Sequence, residues 1–220
     1  MSFLLINKPE GWTSFDVVAF VRKNTKKDGL LSDPKQKRVR VGHAGTLDPF
    51  ATGLLIVGVG REATKKLDEF KNLPKTYIAT IKLGETSDTY DKTGTITVGT
   101  PTTTFPTATQ ITAVLRSFTG KQSQVPPMFS AKKINGQRLY SLARQGIEIE
   151  RKPSDIEIYA ITLLEYTWPI LRIEVQCSAG TYIRSLAHDI GKQLGTGAFC
   201  QELVRTKIGD HTITQAISII

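Results

Sequence analysis

GHAGTLDPFATGLLIVGVGREATK, residues 42–65, sets a glycine-punctuated loop with one acid, Asp48, ahead of an apolar run and a basic segment. LLIVGVG (54–60) reads as a buried strand, and EATKKLDEFKN (62–72) as an amphipathic helix with Ala63, Leu67 and Phe70 inward. A strand entering a helix through glycines also opens dinucleotide-binding folds, but GVGRE at 58–62 lacks the third glycine of that fingerprint. Gly120-Lys121 likewise lacks the earlier glycine and the following Ser/Thr of a phosphate loop, so no nucleotide cofactor is expected.

Outward from this stretch the order of elements is irregular. FLLIN (3–7) reads as a strand, and Thr13 or Ser14 starts a helix with Val17, Val18 and Val21 on one face, followed by loop from Asn24 to Arg38. A strand is expected at 76–84, polar loop at 85–93, a strand at 95–99, a connector at 100–107 and a helix at 107–118 carrying Ile111, Val114, Leu115 and Phe118. Residues 121–153 are rich in basic and turn residues, with Asn135-Gly136 a hairpin signal, and look like a lobe held over a site. Strands at 155–166 and 170–178 should pair through Trp168-Pro169; a helix begins near Thr181, and the last clear strand is 199–209. Hairpins with scattered helices, without regular strand–helix alternation, predict an α+β fold with a mixed, largely antiparallel central sheet and flanking helices.

Lys and Arg number 29 against 20 Asp and Glu in the 220 residues, a net charge of +9 that suits a polyanionic partner. Arg22, Lys23, Lys26, Lys27, Lys35, Lys37, Arg38 and Arg40 crowd the end of the first helix and the loop after it, opposed by Asp28 and Asp33. No run is long and apolar enough for a membrane span and the start lacks a signal-peptide pattern, so a cytoplasmic protein is expected; it is also expected to be a monomer. Cys177 and Cys200 lack metal or redox spacing and should be buried packing, and His43, His188 and His211 form no metal motif, so no metal is expected.

Four places could carry chemistry. Asp48 is followed by Pro49, which biases it toward extended backbone, while Gly42, Gly45 and Gly53 would let a bulky ligand approach and His43 offers a flat ring. An Asx-Pro turn would explain the same residues, and both readings stay open at this point. In SAGTYIRSLAHDIG (178–191) Thr181 can cap the helix, placing Arg184 in a first turn where a cation is unfavourable unless an anion faces it. Tyr77 opens a strand, and Lys132, Lys133, Arg138 and Arg144 interleave with Phe129 and Tyr140 as on nucleic-acid surfaces.

Taken together, INKPEGWTSFDVV, GHAGTLDPFATGLLIVGVGREATK, KTYIATIKLGETSDTYDKTG, VPPMFSAKKINGQRLYSLARQG, CSAGTYIRSLAHDIG and ELVRTKIG resemble, in order, blocks of the bacterial B-type tRNA pseudouridine synthases. The resemblance implies a cofactor-free isomerase that converts uridine 55 in the TΨC loop of tRNA to pseudouridine, in a pseudouridine synthase fold with an RNA-binding cleft. It implies Asp48 as the catalytic aspartate, Tyr77 as the ring stacked on the target base and Arg184 as the arginine paired with the aspartate. Leu203 matches a wall of the base pocket and His43 the support of the rearranged RNA loop. Lys8, Gly45, Thr46, Lys132, Lys133, Arg138, Arg144 and Arg205 are expected at substrate or RNA. One catalytic domain over 1–220 is expected, with a basic RNA-binding insertion at about 121–153 and without a C-terminal PUA domain. Asn7 departs from the common Asp, and Val204 from a common arginine. The competing readings are a tRNA-binding chaperone without catalysis and a glycoside hydrolase; the latter needs a carboxylate pair, and the loop supplies one acid.

Overall fold

A computed structural model describes residues 2–27, 39–99, 105–130, 132–134, 136–143 and 145–219. In chain order it begins with β1 (Ser2–Lys8), α1 (Ser14–Lys27), β2 (Val41–Ala44), β3 (Thr52–Val59), α2 (Arg61–Lys65), α3 (Leu67–Lys71) and β4 (Lys75–Leu83). Then come β5 (Glu85–Ser87), β6 (Ile96–Val98), α4 (Ala108–Ser117), β7 (Gly120–Gln124), β8 (Lys133–Ile134), β9 (Gln137–Arg138) and α5 (Leu139–Ala143). The chain ends with β10 (Ser154–Thr167), β11 (Ile170–Cys177), α6 (Ile183–Gln193), β12 (Ala198–Ile208), β13 (His211–Thr212) and β14 (Ile217–Ser218). The strands make the mixed, largely antiparallel sheet expected of the α+β class.

Two compact units divide the chain, one of residues 1–77 and 203–220, the other of residues 78–202. In the first, the strand order is β14-β1-β3-β12, with β2 also on β3. β1 and β2 are antiparallel to β3, whereas β12 runs parallel to it, with Arg205 opposite Gly53. α1 buries the predicted Val17, Val18 and Val21 against Ile6, Leu55 and Val57. Thr13 caps this helix: its hydroxyl accepts from the Asp16 amide (3.1 Å), and the Asp16 carboxylate accepts from the Thr13 amide (2.7 Å). The helix runs three residues past the expected loop start at Asn24, because Thr25 is buried and donates to the Val21 carbonyl (2.7 Å). The single helix expected at 62–72 is two short ones, α2 and α3, separated at Lys66. A Cβ at Gly58 would stand 3.2 Å from both Ala63 and Leu67, so that bare strand position is what lets the helical segment lie so close to β3.

In the second unit the order is β4-β11-β10-β7, with antiparallel pairing of β10 to both neighbours. The predicted hairpin through Trp168-Pro169 is present as β10 and β11. Two polar segments depart from expectation: β5 lies inside the loop predicted at 85–93, and β7 occupies the first residues of the 121–153 stretch. Both are short and polar, so pairing with β6 and β10 forms them rather than an apolar alternation. Beyond β7, the lobe closes on Met128, Leu139 and Leu142, with β8 and β9 pairing around the predicted turn. Asn135 and Arg144 lie outside the described residues, as do Lys35, Lys37, Arg38, Asp28 and Asp33 of the basic loop. Cys177 and Cys200 are fully buried, as predicted.

Candidate functional site

The loop of residues 45–49 in the first unit is fastened along its whole length. The Gly45 carbonyl accepts from Arg205 Nη2 (3.0 Å), and that of Thr46 from Arg205 Nη1 (3.5 Å). Leu47 exchanges two bonds with the buried Ser14 hydroxyl, whose oxygen accepts from the Leu47 amide (2.9 Å) and whose proton goes to the Leu47 carbonyl (3.2 Å). The Asp48 carbonyl accepts from the Ala51 amide (3.1 Å), closing a turn. The Pro49 carbonyl accepts from the Gly11 amide (2.8 Å) and from Lys8 Nζ (3.4 Å). Each carbonyl from Gly45 to Pro49 thus has a donor, and five residues from three stretches of chain, 8–14, 51 and 205, supply them. A side chain on such a loop is aimed rather than tethered, which is what a reacting carboxylate requires.

Lys8 and Arg205 are unusual as cations, being 0% and 1% exposed. Both spend their protons on backbone oxygens: Lys8 also bonds the Trp12 carbonyl (2.6 Å) and that of Pro9 (2.9 Å), and Arg205 Nε the Leu54 carbonyl (2.8 Å). Burial pushes the Lys8 pKa down to about 8, against the opposing pull of the Asp48 carboxylate. The charge of the half-buried Asp48 thus acts on this ammonium. Expected at the RNA, these two residues hold the loop that carries Asp48. Gly53 fits the same construction, with φ +103° and its Cβ position 2.4 Å from the Arg205 carbonyl oxygen, where only glycine can lie.

His43 sits on β2, a strand the sequence did not disclose, opposite Val57. Burial lowers its pKa to about 4, with the charges of Arg205 and Lys71 acting in the same direction and a Gly45 backbone hydrogen bond against it. The ring is neutral at pH 7. Since the folded pKa lies below the ordinary value of 6.5, the unfolded chain takes up the proton first, and stability falls as pH drops from about 6.5 to about 4. Melting temperatures of the wild type measured across that window should drop more steeply than those of His43→Gln, which lacks the titrating ring.

His43, Gly45 and Thr46 also line a groove of about 1290 Å³ within the first unit, with Phe15, Arg22, Arg40, Lys65 and Lys71 among its other walls. Among the described residues that line it, none is acidic. Tyr77 and Leu203 belong to the same unit and are buried, 9% and 6% exposed. The first unit thus holds Asp48, Tyr77, His43, Leu203, Lys8, Gly45, Thr46 and Arg205.

Arg184 and Lys132 lie in the second unit. Arg184, in the first turn of α6, is 3% exposed, and the anion its position calls for is Asp91. Its Nη1 donates to Asp91 Oδ2 (3.0 Å) and to the Thr89 carbonyl (2.9 Å), and its Nη2 to the Phe129 carbonyl (2.7 Å). The other Asp91 oxygen accepts from the Thr89 hydroxyl (2.8 Å) and the Thr93 amide (2.9 Å). Tyr90, at φ +62°, stacks on His188 with ring centroids 4.0 Å apart. The cap of α6 is Tyr182 rather than the predicted Thr181, whose hydroxyl turns back to the Ser178 carbonyl (3.0 Å). Gln124 fixes that end instead, accepting from the Tyr182 amide (2.8 Å) and donating to its carbonyl (3.0 Å). Lys132 donates to the Ser154 hydroxyl; of Lys133 and Arg138 the structure describes the backbone, paired in β8 and β9.

Asp91 and Phe15 escaped the sequence reading, as did the bonds of Ser14, expected only at a helix start, to Leu47. The alternation of small hydroxylated residues with acids in TSDTYDKT was the available sign of Asp91. Phe15 was legible as an aromatic off the apolar face set by Val17, Val18 and Val21.

The family pattern for "TruB family pseudouridylate synthase (N terminal domain)" matches residues 34–183. A tRNA pseudouridine synthase B of Parabacteroides distasonis is 48% identical over 98% of this chain and 88% of its own length. One from Chloroherpeton thalassium is 48% identical over 99% of this chain and 87% of its own length. Among solved structures, a chain of a Cbf5-Nop10-Gar1 complex superposes with a TM-score of 0.70 at 28% identity, covering 99% of this chain. This chain spans about half of that one, 52% of its length.

Proposed function

Because the chain belongs to the TruB family of pseudouridylate synthases and is thereby an isomerase of uridine in tRNA, we propose that its target is uridine 55 of the TΨC stem-loop and that Asp48 is the catalytic carboxylate. The observation that carries this reading is the loop of residues 45–49, in which every carbonyl is held and the charge of Asp48 reaches Lys8. A reaction that detaches uracil from C1′, turns it and rejoins it through C5 needs an acid whose position does not drift while the base is free.

In the reaction the N1–C1′ bond breaks, C5 bonds C1′, the C5 proton leaves to solvent and N1 gains one, so the product is an isomer and no electrons are exchanged. Asp48 stabilises the separated sugar or takes a sugar proton. Tyr77 gives the extruded uracil a stacking surface and Leu203 an apolar wall, which offsets the cost of unstacking. Arg184 is the cationic member of the catalytic set, held in place by Asp91. Lys8 and Arg205 act as positioning residues for Asp48, and Lys132, Lys133, Arg138 and Arg144 of the lobe meet RNA phosphates. The enzyme works as one catalytic domain, a cytoplasmic monomer.

The test uses unmodified tRNA carrying tritium at uridine C5. Release of tritium to water by the wild type is the expected result; tight binding without release would favour the chaperone reading instead.

A further inference from the structure

Among the described residues, Tyr90 is the one non-glycine residue in the left-handed region, at φ +62°. Glycine would adopt that backbone without penalty, whereas a Cβ crowds the following carbonyl, so a tyrosine kept there is held by contacts of its ring. The ring lies on that of His188, with centroids 4.0 Å apart and planes at 16°. His188 serves that contact with its flat face: its Nδ1 is closed off from solvent and has no hydrogen-bond partner among the described residues. Burial lowers the His188 pKa from 6.5, against the pull of the Asp189 carboxylate, so the ring is neutral at pH 7 and stacks without a hydrated charge.

The neighbours on both sides of the stack show what it holds. Tyr90 stands between the two residues that bind Arg184 Nη1, the Thr89 carbonyl at 2.9 Å and Asp91 Oδ2 at 3.0 Å. The turn at Tyr90 brings both acceptors to one guanidinium nitrogen, and the Thr89 hydroxyl donates to the other Asp91 oxygen (2.8 Å). The backbone of Tyr90 is tied on both sides, its amide donating to the Ser87 carbonyl (3.0 Å) and its carbonyl accepting from the Cys200 amide (2.9 Å). On α6, His188 follows Arg184 by four residues, so the two side chains leave the same face of the helix. Consecutive residues of the loop therefore meet consecutive turns of the helix, Asp91 with Arg184 and Tyr90 with His188. The second contact takes away the freedom to pivot about the first.

We propose that the Tyr90–His188 stack is a positioning clamp for Arg184, which fixes residues 89–91 against α6 and so sets where the guanidinium stands during isomerisation. This rests on the reading above of Arg184 as the cationic member of the catalytic set. Tyr90 and His188 act through Thr89 and Asp91 rather than on the substrate.

The test measures single-turnover tritium release at saturating C5-tritiated tRNA, the dissociation constant of the same tRNA, and the side-chain nitrogen NMR signals of Arg184. Tyr90→Gly can still adopt φ +62° and lacks the ring, so it removes the clamp with little strain on the loop. Its rate should fall about ten- to a hundredfold while binding stays within about twofold of the wild type. The Arg184 guanidinium signals, separate in the wild type, should merge as the group rotates. His188→Ala should do the same, whereas Tyr90→Phe and His188→Phe keep both flat faces and should keep the wild-type rate and signals. A Tyr90→Gly protein with the rate and guanidinium signals of the wild type overturns the proposal. So does His188→Phe as slow as His188→Ala, which would assign the role to the imidazole nitrogens. A loss of tRNA binding that matches the loss of rate overturns it too, by placing the ring at the RNA. Absence of tritium release by the wild type would instead overturn the isomerase reading, and the clamp's part in the reaction with it.

Discussion

Asp48→Asn should retain tRNA binding and lose tritium release by roughly a thousandfold or more in single-turnover measurements at saturating RNA. The expectation follows from the loop. Its five carbonyls are held by Arg205, Ser14, Ala51, Gly11 and Lys8, bonds that do not involve the Asp48 side chain. The amide therefore occupies the carboxylate's place with the backbone unchanged, and the charge alone is lost. Comparable tritium release by the variant would remove Asp48 from the chemistry. Loss of release together with loss of binding would mean that the carboxylate shapes the loop rather than reacts.

Asp91→Asn is the second large effect, and it falls on stability as well as activity. Asp91 and Arg184 have side chains 4% and 3% exposed. The amide takes one carboxylate charge away from the guanidinium where water cannot compensate, a loss of about 3–5 kcal/mol when one partner of a buried pair is removed. For a chain of this size that lowers the melting temperature by roughly 10 °C. Urea unfolding should show a reduced midpoint at constant slope. The double variant Asp91→Asn, Arg184→Met should be less destabilised than the sum of the singles, because removing both members leaves no stranded charge. It should also stay inactive. Additive destabilisation would show that the ion pair is incidental to the packing around it.

The pattern of apolar residues made much of the fold readable. β1, β3, the β10–β11 hairpin and the buried face of α1 follow from apolar runs and alternation, because these elements bury a face and the sequence must record it. The elements it concealed are those that neighbours impose. β2 is Val-Gly-His-Ala and becomes a strand by pairing with β3; β7 is Gly-Lys-Gln-Ser-Gln and gains its form from β10. The helical break at Lys66 leaves no mark in the heptad-like spacing of Ala63, Leu67 and Phe70.

The site divides along similar lines. Asp48 stood out as the only acid in a loop of small residues, and the ordered blocks of resemblance selected it over a simple turn. Its supports could not be selected this way. Lys8 and Arg205 look like surface cations in sequence, yet both are buried because backbone carbonyls satisfy them, and nothing in residue identity announces that. Arg184 was recognisable as a cation awaiting an anion at a helix start, but Asp91 lies 93 residues earlier, in a polar loop whose chemistry appears only once it is folded against α6.

Position-specific mapping tests directly whether this chain isomerises a single uridine. Unmodified tRNA incubated with the protein would be treated with a carbodiimide that adds stably to pseudouridine, then read by primer extension. The prediction is one enzyme-dependent stop, next to position 55, absent with Asp48→Asn. Stops at other uridines, or none while the RNA is bound, would contradict it.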